Sequence, residues 1–405
     1  MGTTDIRLLL WVRALRAFSD GYISLLLPFY LLTLGFDTLQ VGAIATGTLL
    51  GSGALTLLVG LIAHRFKRRR LLVMAAGLMI MTGTGFTFIT DFWPLLLIAI
   101  VGTLNPSSGD VSVFLPLEHT LLSQAADDRN RTALFAKYSL IGSLVSALGA
   151  LAAGLPDMLA NTGIFSLKEA MQGMFLLYAL VGVITLAIYR KLSPRIEPKD
   201  EAPAAPLDKS RKIVYLLTAL FSLDAFAGGF VIQSLLALWL FKRFELSIAT
   251  AGVIFFWAGL FSAFSYLVAV RIAKRIGLVN TMVFTHLPAN IFLLLVPFMP
   301  TLSSAIALLL ARSALSQMDV PTRTSYVMAV VSPAERPAAA SLTAVPRSLA
   351  TAISPLLAGY LLNLSIFGWP LVIAGGLKIV YDLTLLRMFS RIRPPEEARR
   401  ITTNK

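Results

Sequence analysis

A chain of 405 residues with 57% apolar and only 14% charged residues has more apolar surface than a water-soluble fold can bury; ordinary soluble domains carry roughly 45–50% and about 25%. Cysteine is absent, which excludes disulfides, a thiolate nucleophile and thiolate metal sites. The three histidines, His64, His119 and His286, lack metal-binding spacing, so neither a metal nor a cofactor is expected, and the net charge of +14 fits either nucleic acid or basic loops on a membrane surface.

A membrane-crossing helix needs about 20 mostly apolar residues. Twelve such stretches follow one another: 8–34, 38–63, 71–90, 93–124, 132–155, 169–190, 212–241, 248–272, 278–299, 302–331, 338–363 and 368–390. The first is too long and too charged for a signal peptide. Alternate loops are basic. One side holds 25 Lys and Arg residues, among them Arg65, Lys67, Arg68, Arg69 and Arg70, the run 190–212 and the tail; the other has only Lys168, Lys242 and Arg243. The positive-inside rule then puts both termini in the cytoplasm of an inner or plasma membrane, and no nucleic acid is needed to explain the charge.

Residues 191–211, rich in Pro, Ala and charge, read as a cytoplasmic linker. They separate a six-helix bundle at 1–190 from a second at 212–393, and 394–405 forms a cytoplasmic tail. The halves repeat. Ile62-Ala63-His64-Arg65 matches Ile272-Ala273-Lys274-Arg275 at a displacement of 210; Leu115-Pro116-Leu117-Glu118 matches Val320-Pro321-Thr322-Arg323 at 205. Parallel six-helix repeats are a known transporter plan.

The loop Gly60-Leu61-Ile62-Ala63-His64-Arg65-Phe66-Lys67-Arg68-Arg69 resembles the G-x-x-x-D-R-x-G-R-R signature of the major facilitator superfamily, with His64 in place of Asp and Lys67 in place of Gly. The resemblance implies an all-α membrane protein of twelve transmembrane helices in two six-helix bundles. It also implies a central cavity lined by spans 1, 4, 7 and 10. Gly60, His64, Arg65, Arg68 and Arg69 would then belong to a cytoplasmic gate, which here lacks the Asp of one of its charge pairs. Gly149-Ala150-Leu151-Ala152-Ala153-Gly154 in span 5 is a degraded form of the family's antiporter signature; small residues for close helix packing are an equal reading.

Ionisable groups inside the bilayer cost at least about 2.5–3.5 kcal/mol each and mark cavities or partners. Span 1 carries Arg13, Arg16 and Asp20; span 4 Asp110 and Glu118; span 7 Asp224; span 10 Arg312, Asp319 and Arg323. Arg16, Asp20, Asp110, Glu118, Asp224, Arg312, Asp319 and Arg323 are the candidates for proton coupling and substrate contact, and Arg347 of span 11 is a further anion-binding candidate. Arg312, Ser316, Asp319 and Arg323 predict one polar stripe on a continuous helix. Arg13 is read equally as a snorkelling cation. Asp319 with Arg323, and Lys378 with Asp382, read as i,i+4 pairs. His286 reads as a packed, hydrogen-bonded residue. Asn105-Pro106-Ser107-Ser108-Gly109 predicts a break or kink beside Asp110. The 205-residue register predicts that Glu118 and Arg323 face each other as a cytoplasmic gate pair.

The expected activity is secondary active transport of a small solute by alternating access, with proton-coupled export favoured and Asp20 or Asp110 carrying the proton. Import or facilitation of an anionic solute is the alternative, and a membrane-embedded enzyme lacks its nucleophile or metal. The expected partners are a small-molecule substrate, a proton or other coupling ion and the lipid bilayer, around a monomer.

Overall fold

A computed structural model describes residues 3–62, 66–107, 112–125, 128–193, 207–208, 210–332 and 335–389. Among these residues all regular structure is helical. The first half contains α1 (Thr3–Thr33), α2 (Thr38–Ile62), α3 (Arg68–Phe88), α4 (Phe92–Val101), α5 (Phe114–Ala125), α6 (Asp128–Ala152), the short α7 (Leu155–Asn161) and α8 (Leu167–Arg190). The second contains α9 (Arg211–Gly229), α10 (Gln233–Phe244), α11 (Ile248–Ile276), α12 (Leu278–Leu295) with a 3-10 turn at Val296–Phe298, α13 (Leu302–Ser316), α14 (Asp319–Val330), α15 (Arg336–Leu364) and α16 (Trp369–Phe389).

Each apolar stretch read from the sequence is occupied by helix, but spans 4, 7 and 10 are each two helices. Span 4 breaks at Asn105-Pro106. The freed groups there find partners: Tyr178 donates its hydroxyl to the Thr103 carbonyl at 2.8 Å, Thr103 N–H donates to Thr82 Oγ1 at 3.3 Å, and the Pro106 carbonyl accepts from Ser234 N–H at 3.1 Å. Backbone at membrane depth is tolerated only with such partners. Span 7 breaks after the pair Gly228-Gly229. Span 10 breaks at Gln317-Met318, where Pro321, in the first turn of α14, has no N–H to continue a helix. The predicted continuous stripe Arg312–Ser316–Asp319–Arg323 is therefore corrected: Arg312 and Ser316 lie on α13, and Asp319 opens a separate helix.

Among the described residues, eight stretches are long and apolar enough to cross a bilayer by length and composition. Spans 1, 4 and 10 fall short because of their charges and breaks, and span 11 because of its Ser, Thr and Pro content. Large apolar side chains stand outward, with Trp93 75% and Phe88 77% exposed, as a lipid-facing surface requires.

The chain forms two compact units. The first joins Met1–Glu201 to Ile232–Gly259 and Pro355–Ile366; the second comprises Ala202–Val231, Leu260–Ser354 and Phe367–Lys405. Three contacts explain why pieces of α10, α11 and α15 belong to the first unit. Gln233 donates to Ser24 Oγ at 3.0 Å, Ala249 N–H donates to Asp157 at 3.2 Å, and Leu356 N–H donates to Thr46 Oγ1 at 2.9 Å. Leu9, Val12, Leu72, Leu121, Tyr138 and Tyr189 are among the core residues of the first unit; Leu217, Phe221, Val283, Tyr326, Tyr381 and Phe389 are among those of the second.

Candidate functional site

Each unit holds its own buried ionic cluster. In the first, α1 brings Arg16 and α5 brings Glu118 into an ion pair. Glu118 is wholly buried, and its carboxylate also accepts the hydroxyls of Tyr138 from α6 and of Tyr189 from α8, the latter at 2.5 Å. The Arg16 guanidinium lies over the Phe114 ring at 4.1 Å, and Phe114 stacks against Tyr189. A carboxylate in an apolar surround is tolerable here because a cation and two hydroxyls replace its water.

Arg13, one turn before Arg16, does not snorkel. It is only 7% exposed and sits over Tyr138 at 4.9 Å, beside Gly142, whose missing side chain makes room for the guanidinium. Asp20 lies half-buried one turn further along α1 and acts on Arg16 and Tyr178. His119 packs edge-on against Phe135 and Tyr138.

The second cluster centres on Asp224, 4% exposed, near the end of α9. Lys378 of α16 reaches its Oδ1 at 2.5 Å and Arg323 of α14 its Oδ2 at 3.1 Å. Arg323 also reaches Asp319 at 3.4 Å, so that i,i+4 pair exists but is not exclusive. His286 of α12 lies 4.0 Å from Asp224 through Nε2 and binds Asp382 through Nδ1 at 2.9 Å; Asn290 donates to the other Asp382 oxygen at 2.8 Å. Lys378 and Asp382 therefore do not form the expected pair with each other. They share a helix face, but the lysine turns to α9 and the aspartate to α12, each meeting a better-placed partner. His286 is packed and hydrogen-bonded as expected, yet it also links two carboxylates.

The 205-residue register gives these clusters a common plan. Pro116 and Pro321 both lie in the first turn of the second helix of a broken span, followed by Glu118 and Arg323. Glu118 takes a cation from span 1, Arg16. Arg323 takes an anion from span 7, Asp224. Span 6 supplies Tyr189 to the first pair, and span 12 supplies Lys378 to the second. The same three-helix junction is built twice with its signs exchanged. Within its own unit each of Glu118 and Arg323 has a counter-ion, Arg16 and Asp224 respectively, as a fully desolvated charge requires.

Two predicted arginines stand apart. Among the described residues, the side chains of Arg312 and Arg347 make no ion pair or hydrogen bond, although both lie near enough to Asp224 to feel its charge. Asp110, His64 and Arg65 lie outside the described residues. Gly60 is helical with open space where a side chain would stand, so nothing in the described structure requires glycine there. Arg68 and Arg69 open α3, and Arg69 donates to the Arg190 carbonyl of α8.

Tyr138, Tyr189 and Asn290 join the clusters without a sequence signal of their own, and Lys378, Asp382 and His286, structural by their sequence reading, take part in the second cluster. The ionisable residues inside spans 9 and 12 are visible signals in the sequence; the tyrosines of spans 5 and 6 give none, since tyrosine is common in membrane helices.

A bundle of interrupted helices with paired charges buried in its spans defines a multi-pass membrane protein of transporter type. The sequence pattern of the Major Facilitator Superfamily matches residues 9–318 and 225–405, and the chain belongs to that family. It is 26% identical over 420 residues to the uncharacterized membrane protein YJR124C of Saccharomyces cerevisiae, covering 95% of this chain and 94% of the yeast protein. Its fold is similar to that of the xylose transporter XylE from E. coli in an inward-open conformation (15% identity, TM-score 0.74, 98% of this chain and 99% of that one). It is likewise similar to the nucleoside transporter NupG (14%, 0.71, 95% and 99%). A third similar fold is that of the human organic anion transporter MFSD10 (17%, 0.62, 94% and 98%).

Proposed function

We propose that the chain is a twelve-span secondary active transporter that exports a small organic solute by alternating access in exchange for protons. The observation that carries the proton reading is the chain Asp382–His286–Asp224. A neutral imidazole donates from only one nitrogen, whereas a protonated one donates from both. Proton uptake at His286 would keep the Asp382 bond and turn Nε2–H toward Asp224, competing with Lys378 and Arg323 for that carboxylate. The groups facing His286 are Asp224, Asp382, Asn290 and, edge-on at 6.0 Å, Tyr381, with Lys378 and Asp319 acting at longer range. One proton thereby alters the ties between α9, α14 and α16, the kind of change that gates a transport cycle. Asp20 and Asp110 are the proton carriers expected from the sequence, and they provide the comparison.

The test is solute flux in proteoliposomes with and without a pH gradient. His286→Gln should lose gradient-driven accumulation while keeping solute exchange at equal pH, and Asp20→Asn and Asp110→Asn should keep more of the gradient response. Undiminished gradient-driven transport in His286→Gln would remove the imidazole from the mechanism.

The second reading, an anionic solute, is favoured by Arg312 and Arg347. Counting these two, three arginines and Lys378 stand against the three carboxylates Asp224, Asp319 and Asp382. An arginine without a counter-ion in a low-dielectric span has a strong reason to bind an anion. Loss of saturable transport of a carboxylate solute in both Arg312→Gln and Arg347→Gln supports this reading; unchanged half-saturation in both rejects it.

A further inference from the structure

A second feature lies away from both ionic clusters, at the end of the first unit where α3 begins and α8 ends. A cleft of about 490 Å³ is lined there by Lys67, Arg69, Arg70, Val73, Met74 and Arg190. Four of the six lining residues are cations and none is acidic. A larger cleft of about 670 Å³ at the start of α9 pairs its Arg211 and Lys212 with a carboxylate, Asp208. Among the described residues, no carboxylate lines the α3–α8 cleft.

The cleft lies at a helix N-terminus. Arg68, Arg69 and Arg70 occupy the first turn of α3, where the helix dipole and unpaired N–H groups favour negative charge, and no acidic residue is present in that turn. The N-cap, Lys67, forms no capping hydrogen bond through its side chain. The guanidinium of Arg69 donates to the last carbonyl of α8, which holds one wall of the cleft in place. Lys67 and Arg70 remain exposed. The fourth wall is apolar: Met74, 63% exposed, stands one turn beyond Arg70 on the outward face of α3. A soluble anion would meet the cations but gain nothing from Met74 and Val73.

We propose that this cleft binds the phosphate-bearing headgroup of an anionic phospholipid, with Lys67, Arg70 and Arg190 on the phosphate and an acyl chain lying over Val73 and Met74. Basic clefts between helices at the membrane surface, open to the lipid on one side, suit this ligand, and each cation near an anionic surface contributes about fivefold in affinity. The proposal stands whether or not the transport reading is correct.

The experiment uses the full chain, purified in detergent and titrated with phosphatidylglycerol or phosphatidylcholine, with retained lipid read by native mass spectrometry. Wild type should retain phosphatidylglycerol selectively. The double variant K67Q/R70Q should lose about 25-fold of that retention, R70K should keep most of it, and millimolar inorganic phosphate should not displace the lipid. Unchanged melting of K67Q/R70Q in phosphatidylcholine shows that it folds; if it does not fold, K67Q alone must lose about fivefold. Equal retention by wild type and the variants, or displacement by inorganic phosphate, overturns the proposal, the second outcome assigning the cleft to a free anion.

Discussion

Arg16 and Glu118 show how a single buried pair constrains this fold. Neither charge reaches water, so removing one partner strands the other. Glu118→Gln should therefore lower stability by about 3–5 kcal/mol, whereas Arg16→Met with Glu118→Leu should restore most of it, since an apolar pair of similar volume has no charge left to solvate. The measurement is thermal or denaturant unfolding in detergent, followed by flux. A stable double variant with no transport assigns the pair a role in the cycle. A stable double variant with normal transport makes it purely structural. A double variant no more stable than Glu118→Gln contradicts the burial argument.

At the scale of elements, the closest packing is made by glycine. A side chain at Gly21 of α1 would overlap the Ser146 carbonyl of α6, and one at Gly149 of α6 would overlap the Phe18 carbonyl of α1. These backbones cannot yield, so Gly149→Ala should destabilise by about 1–3 kcal/mol in the same unfolding assay. The glycine-rich stretch of span 5, which in sequence also resembles an antiporter signature, thus has a packing role in this chain.

A different element junction responds to pH. Glu335, in the turn between α14 and α15, accepts from Asp208 N–H, from Ser210 Oγ at 2.7 Å and from Ser332 Oγ at 2.7 Å. These donors favour the carboxylate and push its pKa down to about 2. A carboxylate with a depressed folded-state pKa stabilises above its unfolded value, about 4.3, and loses that contribution as pH falls toward 2. The difference in melting temperature between wild type and Glu335→Gln should be constant above about pH 5 and shrink below it. A difference that does not change down to pH 3 would show that the carboxylate is not held by these donors.

For the whole molecule, the charge asymmetry of the loops makes an orientation prediction that no helix contact supplies. Lys168 and Lys191 are both exposed and stand at opposite ends of α8. Because the native chain has no cysteine, single cysteines at these positions report sidedness cleanly. An impermeant thiol reagent added outside cells should label the 168 position and spare the 191 position. The reverse pattern would invert the topology and, with it, the cytoplasmic placement of both termini.

The sequence by itself determined the membrane environment, the helical stretches and the repeat, because these follow from apolar run length, local chain-breaking residues and register. Pro106, the pair Gly228-Gly229 and Pro321 mark where spans 4, 7 and 10 divide, and of these only Pro106, within Asn105-Pro106-Ser107-Ser108-Gly109, stands in a strong local breaker sequence. The candidate charges were also legible, since an ionisable residue within an apolar run stands out wherever the chain folds. Their partners were not. Lys378 and Asp382 sit one turn apart and look like a pair, yet the direction of each side chain depends on which neighbouring helix it meets. Glu118 and Arg323 share a register, but a register says nothing about which side of its own bundle a residue faces. A buried charge selects its partner by distance and desolvation across helices remote in sequence, so only the tertiary structure decided that Glu118 belongs to Arg16 and that Asp224 is shared between Lys378 and Arg323.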